Sequence, residues 1–135
     1  MNDLLGPAYD LHQRHGLLIE QLFEPHVRFF VARLDGLAVG CGGVAMFDDY
    51  AEIKRMYTRP AARGRGVAKA LLHRIEDEAC RAGKSILRLE TGIHQKEAIG
   101  LCERMEFRPR GSFGQYAAMA ACNIETSLFF EKELA

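Results

Sequence analysis

Apolar and polar positions along this chain change period several times, and each change marks the end of one predicted element and the start of the next. Leu11, His15, Leu18, Ile19 and Leu22 repeat at helical spacing, which predicts an amphipathic helix from Tyr9 to Phe23 that Pro25 stops. Val27–Leu34 and Leu37–Met46 then read as two strands joined at Asp35-Gly36, a strong hairpin signal. Gly40, Gly42 and Gly43 loosen the second strand, as a bulge, a close backbone approach or plain close packing would require. Ala51–Thr58 is a third strand, which Pro60 prevents from continuing.

Val67, Ala68, Leu71, Leu72, Ile75 and Ala79 next form one apolar face, with Glu76, Asp77 and Arg81 elsewhere. The helix runs from Val67 to about Ala82, and Gly83 supplies its C-terminal cap. Ser85–Thr91 is predicted to be a strand, Lys96–Met105 a short helix and Asn123–Lys132 a final strand, with Gly111–Ala121 a mobile loop. A strand, helix, strand crossover pairs Ala51–Thr58 with Ser85–Thr91 in parallel, whereas the hairpin is antiparallel. The expectation is an α/β (α+β) chain with a mixed sheet. At 135 residues with 48% hydrophobic content it makes one domain over residues 1–135.

Between the third strand and the long helix lies Arg63-Gly64-Arg65-Gly66-Val67-Ala68. A helix opens with about four backbone N–H groups that lack intrahelical partners, and with the positive end of its macrodipole. An anion satisfies both. Cβ atoms at Gly64 and Gly66 would restrict φ and hold phosphate oxygens away from the amides. The segment therefore reads as a phosphate cradle, against the plainer possibility of a glycine turn.

Charge narrows the ligand. Eighteen Lys and Arg balance eighteen Asp and Glu, so no general basic surface is present to hold nucleic acid or a membrane. Lys54, Arg55, Arg59, Arg63, Arg65 and Lys69 nevertheless fall within one short stretch, which suits a phosphate ester better than a long polyanion. Cys41, Cys80, Cys102 and Cys122 form no Cys-x-x-Cys pair, so no metal is expected. Residues 1–16 carry charges and no apolar core of the signal-peptide kind, and no apolar run approaches the roughly 18 residues of a membrane span. Reduced thiols in a cytoplasm are the expectation.

Among phosphate-binding designs, a nucleotide-hydrolysing P-loop needs Lys then Ser or Thr after its second glycine, and Val67 and Ala68 stand there instead. A dinucleotide fold needs a third small residue where Lys69 stands, although Glu90 roughly meets its acidic requirement. Arg63-x-x-Gly66-x-Ala68 resembles the Gln/Arg-x-x-Gly-x-Gly/Ala signature of the GNAT superfamily of acyl-CoA-dependent N-acetyltransferases. Tyr57–Ala62 is similar to that family's lead-in, and Gln95–Phe107 to its second block.

The resemblance implies a GNAT-like fold whose parallel strands splay apart, and an acetyl group moved from acetyl-CoA to a primary amine of a small molecule or a protein. It implies the cofactor's pyrophosphate on the amides of Arg63, Gly64, Arg65, Gly66, Val67 and Ala68, its pantetheine arm along Met56, Tyr57 and Thr58, and a contact to Gln95, which replaces the family's Asn. Gln95 also has the alternative of a helix-start contact. Thr58-Arg59-Pro60 is the expected place where the third strand leaves its ladder. Glu52 resembles the family's general base, and alternation puts it on one face with Lys54, Met56 and Thr58; its alternative is a strand-edge carboxylate paired with Lys54 or Arg55. Cys102 stands where relatives place an acidic Tyr, and is either the acid or core, with Tyr57 and Tyr116 as other hydroxyls. His94, His73 and Glu90 have ordinary structural explanations. Glu106 replaces the Gly of a Gly-Phe pair, at a cost of roughly 1 kcal/mol if φ is positive there. Only 26 residues precede the first strand, so the family's first strand is expected to be missing and the acceptor wall to come from a partner subunit in a homodimer. A non-catalytic acyl-CoA-binding module is the alternative function, and a nucleotide or nucleic-acid binder a third.

Overall fold

The computed structural model describes residues 24–119 and 125–134. The predicted helix Tyr9–Phe23 and the question of a strand before Val27 lie outside them. β1 (Val27–Leu34) and β2 (Leu37–Met46) form the predicted hairpin, with Leu34 opposite Leu37. Asp35 and Gly36 both take positive φ, 52° and 83°, as a tight two-residue turn demands. β3 (Ala51–Thr58) continues antiparallel to β2, and β4 (Ile86–Gly92) is parallel to β3. β6 (Ser127–Glu133) runs antiparallel to β4 and also pairs with β5 (Arg108–Arg110). The six strands lie in the order β1-β2-β3-β4-β6-β5, a mixed sheet as expected.

Helix α1 (Val67–Arg81) buries Val67, Leu71, Leu72, Ile75 and Ala79 against the sheet. It ends at Gly83, whose φ of 79° lets Lys84 N–H reach Ala79 C=O and Gly83 N–H reach Cys80 C=O, so the last carbonyls keep partners. Helix α2 (Lys96–Arg104) covers the same face. Together they enclose one core in which Ile75, Ala79, Cys102 and Phe107 meet Val44, Ile53, Leu87 and Phe130. The opposite face carries a smaller cluster of Phe113, Tyr116 and Phe129, closed by the short helix α3 (Gly114–Ala117).

β5 and α3 both fall where no element was expected. Pro109 makes Arg108–Arg110 read as loop, and the run is tolerated because it pairs on one side only. α3 is a single turn inside the segment expected to be a mobile loop, held down by the aromatic cluster.

Candidate active site

β3 and β4 pair only at Ala51 with Leu87 and at Glu52 with Arg88. Beyond that rung both strands continue without each other, β3 to Thr58 and β4 to Gly92, which opens a cleft in the middle of the sheet. The cause lies in β3. Lys54 faces Gly43 and Tyr57 faces Cys41, so Arg55 and Met56 together oppose Gly42 as a β-bulge. Arg55 accordingly sits at φ 54°, in the left-handed region.

The bulge corrects two expectations. The strand does not leave its ladder at Thr58-Arg59-Pro60, because Arg59 N–H still donates to Val39 C=O at 2.8 Å. Nor do Glu52, Lys54, Met56 and Thr58 share a face, since the extra residue reverses the alternation. Ile53 and Met56 both pack toward α1, and a Cβ on Gly42 would stand 2.8 Å from Met56 Sδ. Glu52 and Lys54 point to the other side. The glycines of β2 thus answer two needs: Gly42 sits opposite the bulge, and Gly40 gives room to α1, where a Cβ would lie 2.8 Å from Val67 Cγ1.

Behind the cleft, a short 3₁₀ turn at Pro60–Ala62 leads into the glycine loop. Gly64 and Gly66 take φ of 80° and 78°, and a Cβ on either would meet nothing within 4 Å, so both open onto free space. Gly66 is the N-cap of α1, which has no side-chain cap and no acidic residue in its first turn. Among the described residues, no amide from Gly64 to Lys69 donates to a backbone carbonyl outside the helix. The open space at both glycines and the uncapped helix start leave room for an anion there.

Gln95 is the exposed N-cap residue of α2, and its side chain makes no capping hydrogen bond, which leaves its amide available and sets aside the helix-start contact. Arg63 Nε stands 3.6 Å from Glu97 Oε2, so the glycine loop and the start of α2 border one opening. Cys102 is elsewhere. It is 4% exposed within the main core, and burial, with Glu103 adding to it, pushes its thiol up to about 11. The structure therefore takes Cys102 out of the site and gives it to packing. His73 and His94 are exposed.

Glu52 is 2% exposed and stands at the last paired rung before the cleft. Its Oε2 accepts from the Tyr116 hydroxyl at 2.9 Å and lies 2.9 Å from Lys54 Nζ, while Lys54 Nζ donates to the Tyr116 hydroxyl at 2.8 Å. Burial raises the Glu52 carboxyl above the usual carboxylate range, against the pull of Lys54 and Tyr116. The same burial, with the Glu52 charge beside it, raises the Tyr116 hydroxyl far above its ordinary value and keeps it protonated. The pairing with Lys54 was foreseen as an alternative for Glu52, but the convergence on Tyr116 was not. Glu52-x-Lys54, opposite charges two residues apart on one strand, was the available signal; nothing in the sequence ties either to a tyrosine 64 residues from Glu52.

Parted parallel strands beside an uncapped helix start define an acyltransferase scaffold, and comparison with known proteins agrees. The model of the acetyltransferase (GNAT) family matches residues 1–107. An IAA acetyltransferase of Azospirillum brasilense is 44% identical over 96% of this chain and 83% of its own length. A Klebsiella pneumoniae structure assigned to the acyl-CoA N-acyltransferases superposes with a TM-score of 0.75 at 32% identity, covering 86% of this chain and 82% of that one. A GNAT family acetyltransferase from Elizabethkingia anophelis with acetyl-CoA bound shares the fold at a TM-score of 0.67 and 19% identity, over 81% and 77% of the two chains. The chain belongs to the GNAT acetyltransferase family.

Proposed function

We propose that the protein moves an acetyl group from acetyl-CoA to a primary amine by direct transfer, with Glu52 as general base. The observation that carries this reading is the cleft itself: a buried carboxylate at its apex and, behind it, a helix start whose amides have no backbone carbonyl partner outside the helix among the described residues. Structures of family members holding coenzyme A or acetyl-CoA support acyl-CoA as the donor. The amides of Arg63 to Ala68 take the diphosphate. Backbone groups of Met56, Tyr57 and Thr58 pair with the peptide-like pantetheine as an added strand would, and the Gln95 amide adds a contact from across the cleft.

An aliphatic amine, with a pKa near 10, arrives protonated at pH 7, so a proton must be removed before nitrogen can attack. Glu52 takes that proton through a bridging water, and the raised basicity that burial confers suits it to the task. A backbone N–H near Met56 holds the developing oxyanion. The thiol that leaves has a pKa near 8.5 and requires little acid assistance, so the loss of Cys102 from the site costs the mechanism nothing. The reading includes a reducing, cytoplasmic setting, which the free thiols of Cys41, Cys80 and Cys102 support, and a homodimer that completes the acceptor side.

Melting temperatures measured with acetyl-CoA, CoA, NAD and ATP test the donor, because a ligand selective for the folded state raises the midpoint. Release of free thiol over a panel of primary amines tests the transfer, and Glu52→Gln should lower turnover while leaving acetyl-CoA affinity intact. Stabilisation by CoA without thiol release from any amine would support a binding module instead.

A further inference from the structure

Three polar groups meet in a closed triangle on the face of the sheet opposite α1. Glu52 and Lys54 come from β3 and Tyr116 from α3, and all three are buried, at 2%, 5% and 1% exposure. Desolvating an ion pair costs about as much as the pairing returns, and well-packed apolar residues of the same volume would hold the sheet equally well. Stability alone therefore does not account for the triangle. Its geometry does something more specific: the Lys54 ammonium and the Tyr116 hydroxyl converge on one carboxylate oxygen, Oε2 of Glu52.

The geometry points to Lys54 and Tyr116 as a positioning pair that grips the Glu52 carboxylate by Oε2 and leaves Oε1 to serve the acceptor amine at the mouth of the strand split. This inference rests on the transfer reading above. Tyr116 is itself fixed, with its ring 5.4 Å from that of Phe113 and 5.3 Å from that of Phe129, so α3 is locked to the sheet through the same residue that orients the base.

The groups facing Glu52 are Lys54 on its own strand, Tyr116 on α3, Glu90 on β4 and Tyr50 in the β2–β3 connection. Burial and the Glu90 charge favour the protonated carboxyl; Lys54 and Tyr116 oppose them. Without the pair, burial and Glu90 push the carboxyl further toward its protonated form, and a protonated carboxyl cannot accept a proton. With it, Glu52 is ionised yet more basic than an exposed glutamate. One proton passes from the ammonium to Oε1 through water, the freed nitrogen lone pair attacks the thioester carbonyl, the C–S bond breaks as the amide forms, the departing coenzyme A thiolate takes up the second proton that the nitrogen sheds, and Glu52 returns its own proton to solvent after release.

The test is a carbon-13 carboxylate titration of Glu52 in the full chain, in Tyr116→Phe, in Lys54→Met and in Phe107→Leu, a packing control in the main core on the other face of the sheet. It is run beside the pH profile of kcat/KM for acetyl-CoA with phenethylamine, ethanolamine and lysine. Loss of one hydrogen bond to a charged carboxylate should move the Glu52 midpoint up by about one pH unit in Tyr116→Phe, and further in Lys54→Met. The acid limb of the rate profile should move with it, activity at high pH should recover toward wild type, and KM for acetyl-CoA should stay unchanged. Phe107→Leu should lower the melting temperature and leave the titration where it was. Unmoved midpoints in Tyr116→Phe and Lys54→Met, or moved midpoints with an unmoved limb, overturn the positioning role and leave the transfer reading standing. A wild-type chain inert toward every amine overturns the transfer reading first.

Discussion

Gly66 and Gly83 bracket α1 and offer a matched pair of substitutions. Their φ values are 78° and 79°, and a Cβ added to either meets nothing within 4 Å. Alanine at each position therefore carries the same penalty, about 1–2 kcal/mol for holding an L-residue in the left-handed region. For a chain of this size that lowers the melting temperature by several degrees, roughly 3–6 °C per kcal/mol, in both variants alike. The ligand separates them. At Gly66 the new methyl group enters the open space at the N-cap of α1, the helix end that has no side-chain cap. Losing one charge-assisted amide contact there, worth about 1.5–3 kcal/mol, weakens coenzyme A binding by roughly 10- to 100-fold. Gly83 caps the other end of the helix and should leave the affinity as it is. Calorimetric titration with coenzyme A, alongside melting curves with and without it, reads both effects in the same samples. Equal loss of affinity in Gly66→Ala and Gly83→Ala, or full affinity in Gly66→Ala, would falsify the placement of the diphosphate.

Two further outcomes follow from the fold. Glu106 sits at φ 69° just past α2, where Phe107 N–H bonds to Cys102 C=O in a left-handed helix stop, so Glu106→Gly should stabilise the protein by about 1 kcal/mol; chemical denaturation giving no gain would contradict the strain argument. Glu131 accepts from Arg88 Nε and Arg110 Nη1, both at 2.7 Å, and although partial burial pulls the other way these bonds hold its carboxyl below its usual value of 4.5. A carboxyl depressed in the folded state adds stability above its unfolded pKa and loses it as pH falls through the folded value. Melting temperature should therefore decline more steeply below about pH 4.5 in wild type than in Glu131→Gln; parallel curves would show that the two arginines do not hold that carboxylate.

Strand and helix boundaries were legible where a single physical signal governs them. Asp35-Gly36 can do little but turn, Pro60 must end β3, and Gly83 can terminate α1 in a conformation that other residues resist. The glycine loop was legible for the same reason, because its requirement is local: positive φ at Gly64 and Gly66, and a helix start without a cap. The bulge was not. Arg55 carries no mark of a left-handed position, since the residue type that signals one is glycine, and the only trace lies on the partner strand, where Gly42 faces the extra residue. A strand read by strict alternation therefore put Met56 on the wrong face.

The same distinction separates the proposed cofactor side of the cleft from its proposed catalytic side. Phosphate recognition by a helix start uses backbone groups within one short segment, whose spacing is printed in the sequence. The proposed base, Glu52, depends on side chains that the fold brings together from β3 and from a turn of helix some sixty residues on, with Tyr116 anchored by Phe113 and Phe129. Cys102 shows the converse. Aligned by motif it occupied the acid's position, yet helical spacing had already put it on the apolar face of α2, and the fold obeyed the spacing. Apolar periodicity constrains many neighbours at once, whereas a motif position constrains one, so where the two disagree about a side chain's surroundings the periodicity carries more physical information.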